Sequence, residues 1–337
     1  MNTELYHAAQ RLEAGADPAW RAQLYAWATE PPTGERLARL LRRGLLLVAA
    51  LLLGAGLIFW IAANWQEQPR GVKLGLIEAA LLAALAMACL PLHILQRART
   101  AALLCATLVL GGLLAFIGQT YQTGADAWQL FAAWAALALL WTLVQRSDLL
   151  WTLWISIAAL ALLLWTGPTG LLHWFMDDSR QPGALALTML AWLALAAVPS
   201  AVASLPRLRL HLDLKEADGW QLGRWSHRLA VAMALAAWSG LAVAEILNDK
   251  GFAWGWPMAA VLVAGVLWLS LHGRWRDLPT LALALLAANV LVLAWAARML
   301  FGRHFEMGSF LLLGLLGLAC LGGSASWLLR QQRKGLA

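Results

Sequence analysis

The chain has 337 residues, of which 61% are hydrophobic and only 13% charged, and its mean hydropathy of +0.67 lies outside the range of an ordinary soluble domain. Water is therefore excluded as the solvent for most of it. The net charge of +7 does not point to nucleic acid, because the basic residues stand beside apolar stretches and form no run interleaved with stacking aromatics.

The first 43 residues read as a small cytoplasmic helical hairpin. Leu5, Ala8, Ala9 and Leu12, then Trp20, Leu24 and Trp27, recur at helical spacing on either side of Gly15-Ala16-Asp17-Pro18. Asp17 is placed to cap the second helix and Pro18 to open it. Pro31-Pro32-Thr33-Gly34 ends the hairpin, and Glu35 to Arg43 leads into the first apolar run with four arginines. That run begins far from Met1 and is a full span in length, so no cleavable signal peptide is expected.

Ten apolar stretches follow, near 44–64, 73–92, 100–120, 127–145, 148–166, 183–204, 228–247, 253–272, 279–298 and 308–329. Each approaches the roughly 20 residues that a helix needs to cross a bilayer. The expected fold is thus an all-α integral membrane protein, with about ten transmembrane helices over 44–330 and the small N-terminal hairpin outside the membrane. With the N-terminus in the cytoplasm, 19 of the 25 basic residues fall on that side and six on the other, which places both termini inside. Between the sixth and seventh spans, 205–227 breaks the helical pattern. Leu208, Leu210, Leu212 and Leu214 alternate with Arg207, Arg209, His211, Asp213 and Lys215, and Asp218-Gly219 offers a turn, so a cytoplasmic β-hairpin is one reading and a solvated loop the other.

Many of the 21 tryptophans, including Trp60, Trp65, Trp128, Trp151, Trp254, Trp256, Trp275 and Trp327, fall near expected span ends, where interfacial belts form. Trp192 and Trp268 fall at mid-span and read as packing or lipid-facing bulk. Cys89, Cys105 and Cys320 have no CxxC spacing and read as core residues.

Ionisable and amide groups inside spans are costly in hydrocarbon and are candidates for function. Glu78 lies five residues beyond Lys73 in the second span. Asn64 closes the first span on the same side, Gln119, Thr120 and Tyr121 close the third, and Asp126 stands at the start of the fourth, so these groups share one depth near the external leaflet. They either surround a polar cavity or cap and cross-link the spans. Glu245, Asn289 and Arg298 form a second polar set. Glu245 and Arg298 share a depth that permits an ion pair or snorkelling, and Asn289, at mid-span, should face another helix.

No catalytic template is present. The seven histidines form no HExxH and no i, i+4 pair, and GxSxG, Walker A and GxGxxG are absent. No enzyme activity, metal or cofactor is expected. Expected partners are membrane lipid and, through the hairpin and the 205–227 loop, a cytoplasmic protein.

The run from Gly56 to Asn64-Trp65, then Pro69-Arg70 and Lys73-Leu74, and later Gly118-Gln119-Thr120-Tyr121-Gln122-Thr123-Gly124-Ala125-Asp126 leading to Trp128, resembles the bacterial membrane family called domain of unknown function 2157. The resemblance covers roughly residues 1–165. It implies a multi-pass protein of the bacterial cytoplasmic membrane and assigns no activity or catalytic residue. Two functions fit the residues: a transporter-like protein for a small or lipid-linked molecule, or a non-transporting scaffold or sensor that holds a cytoplasmic partner.

Overall fold

The computed structural model describes residues 34–63, 69–90, 98–121, 124, 126–145, 147–166, 182–204, 225–247, 254–272, 277–301 and 307–332. Within them are ten helices and no strand: α1 Gly34–Ala63, α2 Arg70–Cys89, α3 Arg99–Tyr121, α4 Ala127–Gln145, α5 Asp148–Thr166, α6 Pro182–Ser204, α7 Trp225–Leu247, α8 Gly255–Leu271, α9 Leu278–Phe301 and α10 Met307–Gln331. Seven of these (α2, α3, α4, α5, α7, α9 and α10) are long and apolar enough to cross a membrane, and α1, α6 and α8 contain shorter apolar stretches. Residues 1–33 of the expected hairpin over 1–43 and 205–224 of the expected segment over 205–227 lie outside the described residues, while 34–43 and 225–227 are helical.

Helix is the only secondary structure that lets an isolated apolar segment satisfy its own backbone groups without water. Proline punctuates it as expected. Pro69 precedes α2, Pro182 is the first residue of α6 and Pro279 the second of α9, positions where the missing N–H costs nothing. The helix α1 starts ten residues before the expected span, so the arginine-rich lead-in is continuous with it. Its 30 residues rise about 45 Å, well beyond the roughly 30 Å hydrocarbon thickness, so part of α1 must extend out of the apolar layer.

Two groups of helices meet at α3. Helices α1 and α2 pack on its one side, through Ile77, Cys105, Val109 and Phe116, while α4 covers the other. From there α4 packs on α5, α5 on α7, and α7 is the hub that touches α5, α6, α8 and α9; α10 reaches the bundle through α9. The main core is centred on Trp151, Trp192 and Trp238, all fully enclosed. Helix α10 has no buried residue, and the large apolar side chains of α1 and α10 face outward, as is expected where the surroundings are lipid.

The tryptophans have a use that their position along the chain does not reveal. Trp134 donates its indole N–H to the Thr107 carbonyl (2.7 Å) and Trp141 to the Thr107 hydroxyl (2.9 Å), joining α4 to α3. Trp154 reaches the Ala135 carbonyl on α4 (2.8 Å), Trp238 the Met189 carbonyl on α6 (3.1 Å) and Trp256 the Leu291 carbonyl on α9 (3.1 Å). Each ring fills space between two helices while its N–H accepts no compromise with solvent. Trp151, expected in an interfacial belt, is instead fully buried and packs edge-on against Trp154 at 5.4 Å. The cause is the enclosure of α5 by α3, α4, α6 and α7, which covers even its first turn. Trp192 is buried, whereas Trp268 is exposed and stacks on His272.

Close approach of α4 to α3 depends on Gly111. A Cβ there would fall 2.4 Å from the Trp134 ring, so any side chain must displace the indole from Thr107. By contrast, a Cβ at Gly56 on the outer face of α1 meets nothing within 4 Å. Gly111→Ala is expected to destabilise by about 1–3 kcal/mol, as overpacking does, whereas Gly56→Ala should be neutral or slightly favourable. Apparent melting temperatures of the two purified variants in one detergent decide this; equal melting would show that the glycine contact is not tight.

Candidate functional site

Polar groups gather at both ends of the bundle and in one groove. At the end where α1 begins, the carboxylate of Asp148 opens α5 and is buried. It accepts from the backbone N–H of Trp225 (3.0 Å) and of Ser226 (3.1 Å) and from the Ser226 hydroxyl (2.6 Å). A side chain of one helix thus caps the N-terminus of another, across 77 residues of sequence, where the helix dipole favours negative charge. One turn on, Arg228 forms a two-pronged ion pair with Asp277, from Nε to Oδ2 (3.0 Å) and from Nη2 to Oδ1 (2.6 Å), and lies over the Trp225 ring. Asp277 also caps α9 by accepting from the Thr280 N–H (3.1 Å) and hydroxyl (2.5 Å). Burial alone would raise the Asp277 pKa, but the donors from Arg228 and Thr280 outweigh it and hold the carboxyl below its ordinary value. At the same end, Gln145 of α4 donates to Thr100 of α3 (3.1 Å).

The opposite end carries the second expected polar set. Glu245 at the end of α7 accepts the backbone N–H of Gly255, the first residue of α8. Arg298 donates to the carbonyl of Ile246 (2.8 Å), the neighbour of Glu245. Each of the two charges therefore has its own backbone partner. Asn289 is buried and exchanges hydrogen bonds with Ser324 of α10 at 3.0 and 3.2 Å.

A groove of about 140 Å³ lies between α1, α2 and α3, lined by Leu57, Ile58 and Ala62, by Ile77, and by Val109, Gly112, Ala115, Phe116 and Gln119. Of the first expected set, only Gln119 lines it. Glu78 is exposed on the flank of α2, Tyr121 and Asp126 are exposed, and Asn64 lies outside the described residues. Two further groups belong to the same end of α2 and α3: Lys73, which is not among the expected candidates, and Thr120, which belongs to the shared-depth set. Lys73, counted as a residue flanking the second span, is 3% exposed and lies within α2. The Thr120 hydroxyl is buried with no hydrogen-bond partner. Lys73 was legible in principle, because Lys73, Ile77, Ala84 and Ala88, which form the buried face of α2, follow helical spacing. A larger groove of about 330 Å³ between α6 and α8 is lined by Met189, Leu190, Trp254, Pro257, Met258, Val261 and Leu262, none of them charged. Among the described residues no three His, Cys, Asp or Glu side chains come together as a metal site.

The groove lies inside a region of the chain that is similar to a known family. Residues 11–151 match the family described as "Predicted membrane protein (DUF2157)". The chain is a membrane protein whose N-terminal half resembles that family. The matched region takes in α1 to α4 and the first turn of α5, and so includes Asp148 and every residue of the groove, but neither the Arg228–Asp277 pair nor the Asn289–Ser324 link. No curated protein and no solved structure matches the chain.

Two outcomes follow from the capping geometry. Asp148→Ala strips the acceptor from two backbone donors and should cost about 0.5–2 kcal/mol, while Ser226→Ala removes one hydroxyl bond and should cost about 0.6 kcal/mol. Melting in detergent measures both, and equal losses would mean that the carboxylate does not cap α7. Asp277, with its folded pKa depressed, contributes stability that is present above the unfolded value of about 3.9 and is lost as pH falls through the folded value. The acid limb of a stability–pH profile should therefore flatten in Asp277→Asn; an unchanged limb would remove Asp277 from the linkage.

Proposed function

We propose that the chain is a ten-span protein of the bacterial cytoplasmic membrane, both termini cytoplasmic, that moves an amphiphilic or lipid-linked molecule along the groove between α1, α2 and α3. What supports this is the groove itself: an apolar trough with one amide, Gln119, at one end. Its volume of about 140 Å³ is below the roughly 300–1,000 Å³ of sites that enclose a whole drug-sized molecule. A chain with a polar end fits such a trough better than a compact solute. Glu78 lies in the α2 row between Leu74 and Leu81, both packed against the cluster beneath the groove, and we assign it proton exchange beside the bound molecule, with Tyr121 and Asp126 at the same end. A scaffold for a cytoplasmic protein would draw instead on 1–33 and 205–224, which lie outside the described residues.

Proteoliposomes holding the purified protein and a fluorescent phosphatidylglycerol test this by leaflet exchange, read with an impermeant quencher. Transfer should exceed that of protein-free vesicles, and should fall at least tenfold in Ala115→Phe, which fills the groove, and in Gln119→Leu. Glu78→Gln should abolish it with folding intact. Transfer indifferent to all three variants would dismiss the groove as a path, and a C-terminal reporter active outside the cytoplasm would dismiss the topology.

A further inference from the structure

We propose that the arginine-bearing first turns of α1 bind anionic phospholipid headgroups in the leaflet at that end of the bundle, independently of the groove. A Cβ at Gly54 would meet Leu108 at 3.2 Å and one at Gly112 would meet Ile58 at 2.9 Å, so α1 and α3 run parallel. Leu47 packs on the cluster that joins Ala88, near the end of α2, to Ala102, Leu103 and Leu104 at the start of α3. Residues 34–43, about 15 Å of helix, therefore run past the ends of both helices on which α1 leans. Leu37, Ala38, Leu41, Arg42, Leu45 and Leu46 are all exposed, as that projection requires.

Register sorts this stretch into two faces. At the helical repeat, positions 36, 39, 42 and 43, all arginine, fall within about 120° of arc. Leu37, Leu41 and Leu45 fall on the other side, in line with the outward-facing Val48, Leu52 and Phe59 of the span. From Leu37 to Phe59 this apolar stripe rises about 33 Å, close to the roughly 30 Å of the hydrocarbon layer. Acyl chains therefore cover α1 to about the level of Leu37, and the arginine positions on its reverse side stand where tails give way to headgroups. Arginines anywhere round the helix would serve topology. Gathered on one face opposite an apolar stripe, they make an amphipathic surface of the kind that anionic lipid attracts. Glu35 is the one acid between Gly34 and Leu46, so the stretch keeps a net positive charge. Among the described residues the carboxylates at this end are already engaged, Asp148 by the start of α7 and Asp277 by Arg228 and Thr280. A zwitterionic lipid offers the same phosphate with its charge cancelled, and a free phosphate makes no use of the apolar stripe.

The full-length protein in detergent is titrated with dioctanoyl phosphatidylglycerol, dioctanoyl phosphatidylcholine and inorganic phosphate, with bound ligand counted by native mass spectrometry. Phosphatidylglycerol should bind about tenfold more tightly than phosphatidylcholine, and inorganic phosphate should not bind detectably. Arg36→Gln, Arg39→Gln, Arg42→Gln and Arg43→Gln together should remove most of that preference. A second variant, Ala38→Arg, Arg39→Ala, Leu41→Arg and Arg43→Leu, keeps the composition but spreads the charges round the helix, and should lose the preference as well. Equal affinity for the two lipids in the wild type, or a preference that survives either variant undiminished, would overturn the proposal and leave these arginines as topology determinants. Inorganic phosphate binding as tightly as phosphatidylglycerol would overturn it in favour of a free anion. Should both variants fail to fold, Arg42→Gln alone, at an exposed position, should lower the preference about twofold or more, and an unchanged preference would be as damaging.

Discussion

A buried polar hydrogen in this bundle can find an acceptor only inside the protein, because hydrocarbon supplies none, and among the described residues few, the Trp151 indole and the Thr120 and Ser239 hydroxyls among them, go without one. Helix interiors meet that demand by themselves; helix ends and indole rings do not. The structure answers with side chains that cross from one helix to the next. Asp148 closes the N-terminus of α7 and Glu245 that of α8, while Asp277, which caps its own helix α9, reaches across to Arg228 of α7. Five indoles donate to backbone or hydroxyl oxygen on an adjacent helix. Each such bond is worth only about 0.6 kcal/mol in a membrane protein. Their number and their directionality are what matter: close packing can hold two smooth helices together, but a hydrogen bond also sets their register.

That constraint explains the contrast between the two parts of the bundle. From α4 to α9 the helices enclose a core around three fully buried tryptophans. Helices α1 and α2 lie outside it and meet α3 through a small cluster and through Gly54 and Gly112, which bring α1 within van der Waals reach of α3. Two helices leaning on a third leave a trough between them, and the groove occupies that place.

Much of the fold could be read from the chain. Hydropathy and proline placement located the helices closely: the expected 100–120 is Arg99–Tyr121, and the expected 127–145 and 148–166 coincide with α4 and α5. The candidate site was less legible. Shared depth along the helices drew Glu78, Gln119, Tyr121 and Asp126 together, but depth says nothing about azimuth, and only Gln119 turns toward the groove. Lys73 was hidden for the opposite reason, since a lysine at a span boundary reads as a solvated end until the helix is seen to run on past it. Neither Asp148 nor Asp277 stood out in the sequence, because each caps or pairs with a partner 49 or more residues away.

Composition and apolar periodicity alone determined that the chain is a set of membrane helices, because that outcome depends on local transfer of side chains and backbone out of water and requires no partner. Which face of each helix is enclosed, which tryptophan is a cross-link and which faces outward, and which groups line the trough are decided only by tertiary packing. Those outcomes are set by rotation about the helix axis, and in a helix that is apolar on every side, such as α4 or α8, no sequence period marks the inward face. Neighbouring helices select it through the few positions, Gly111 and Thr107 among them, where a ring can fit and its N–H can bond.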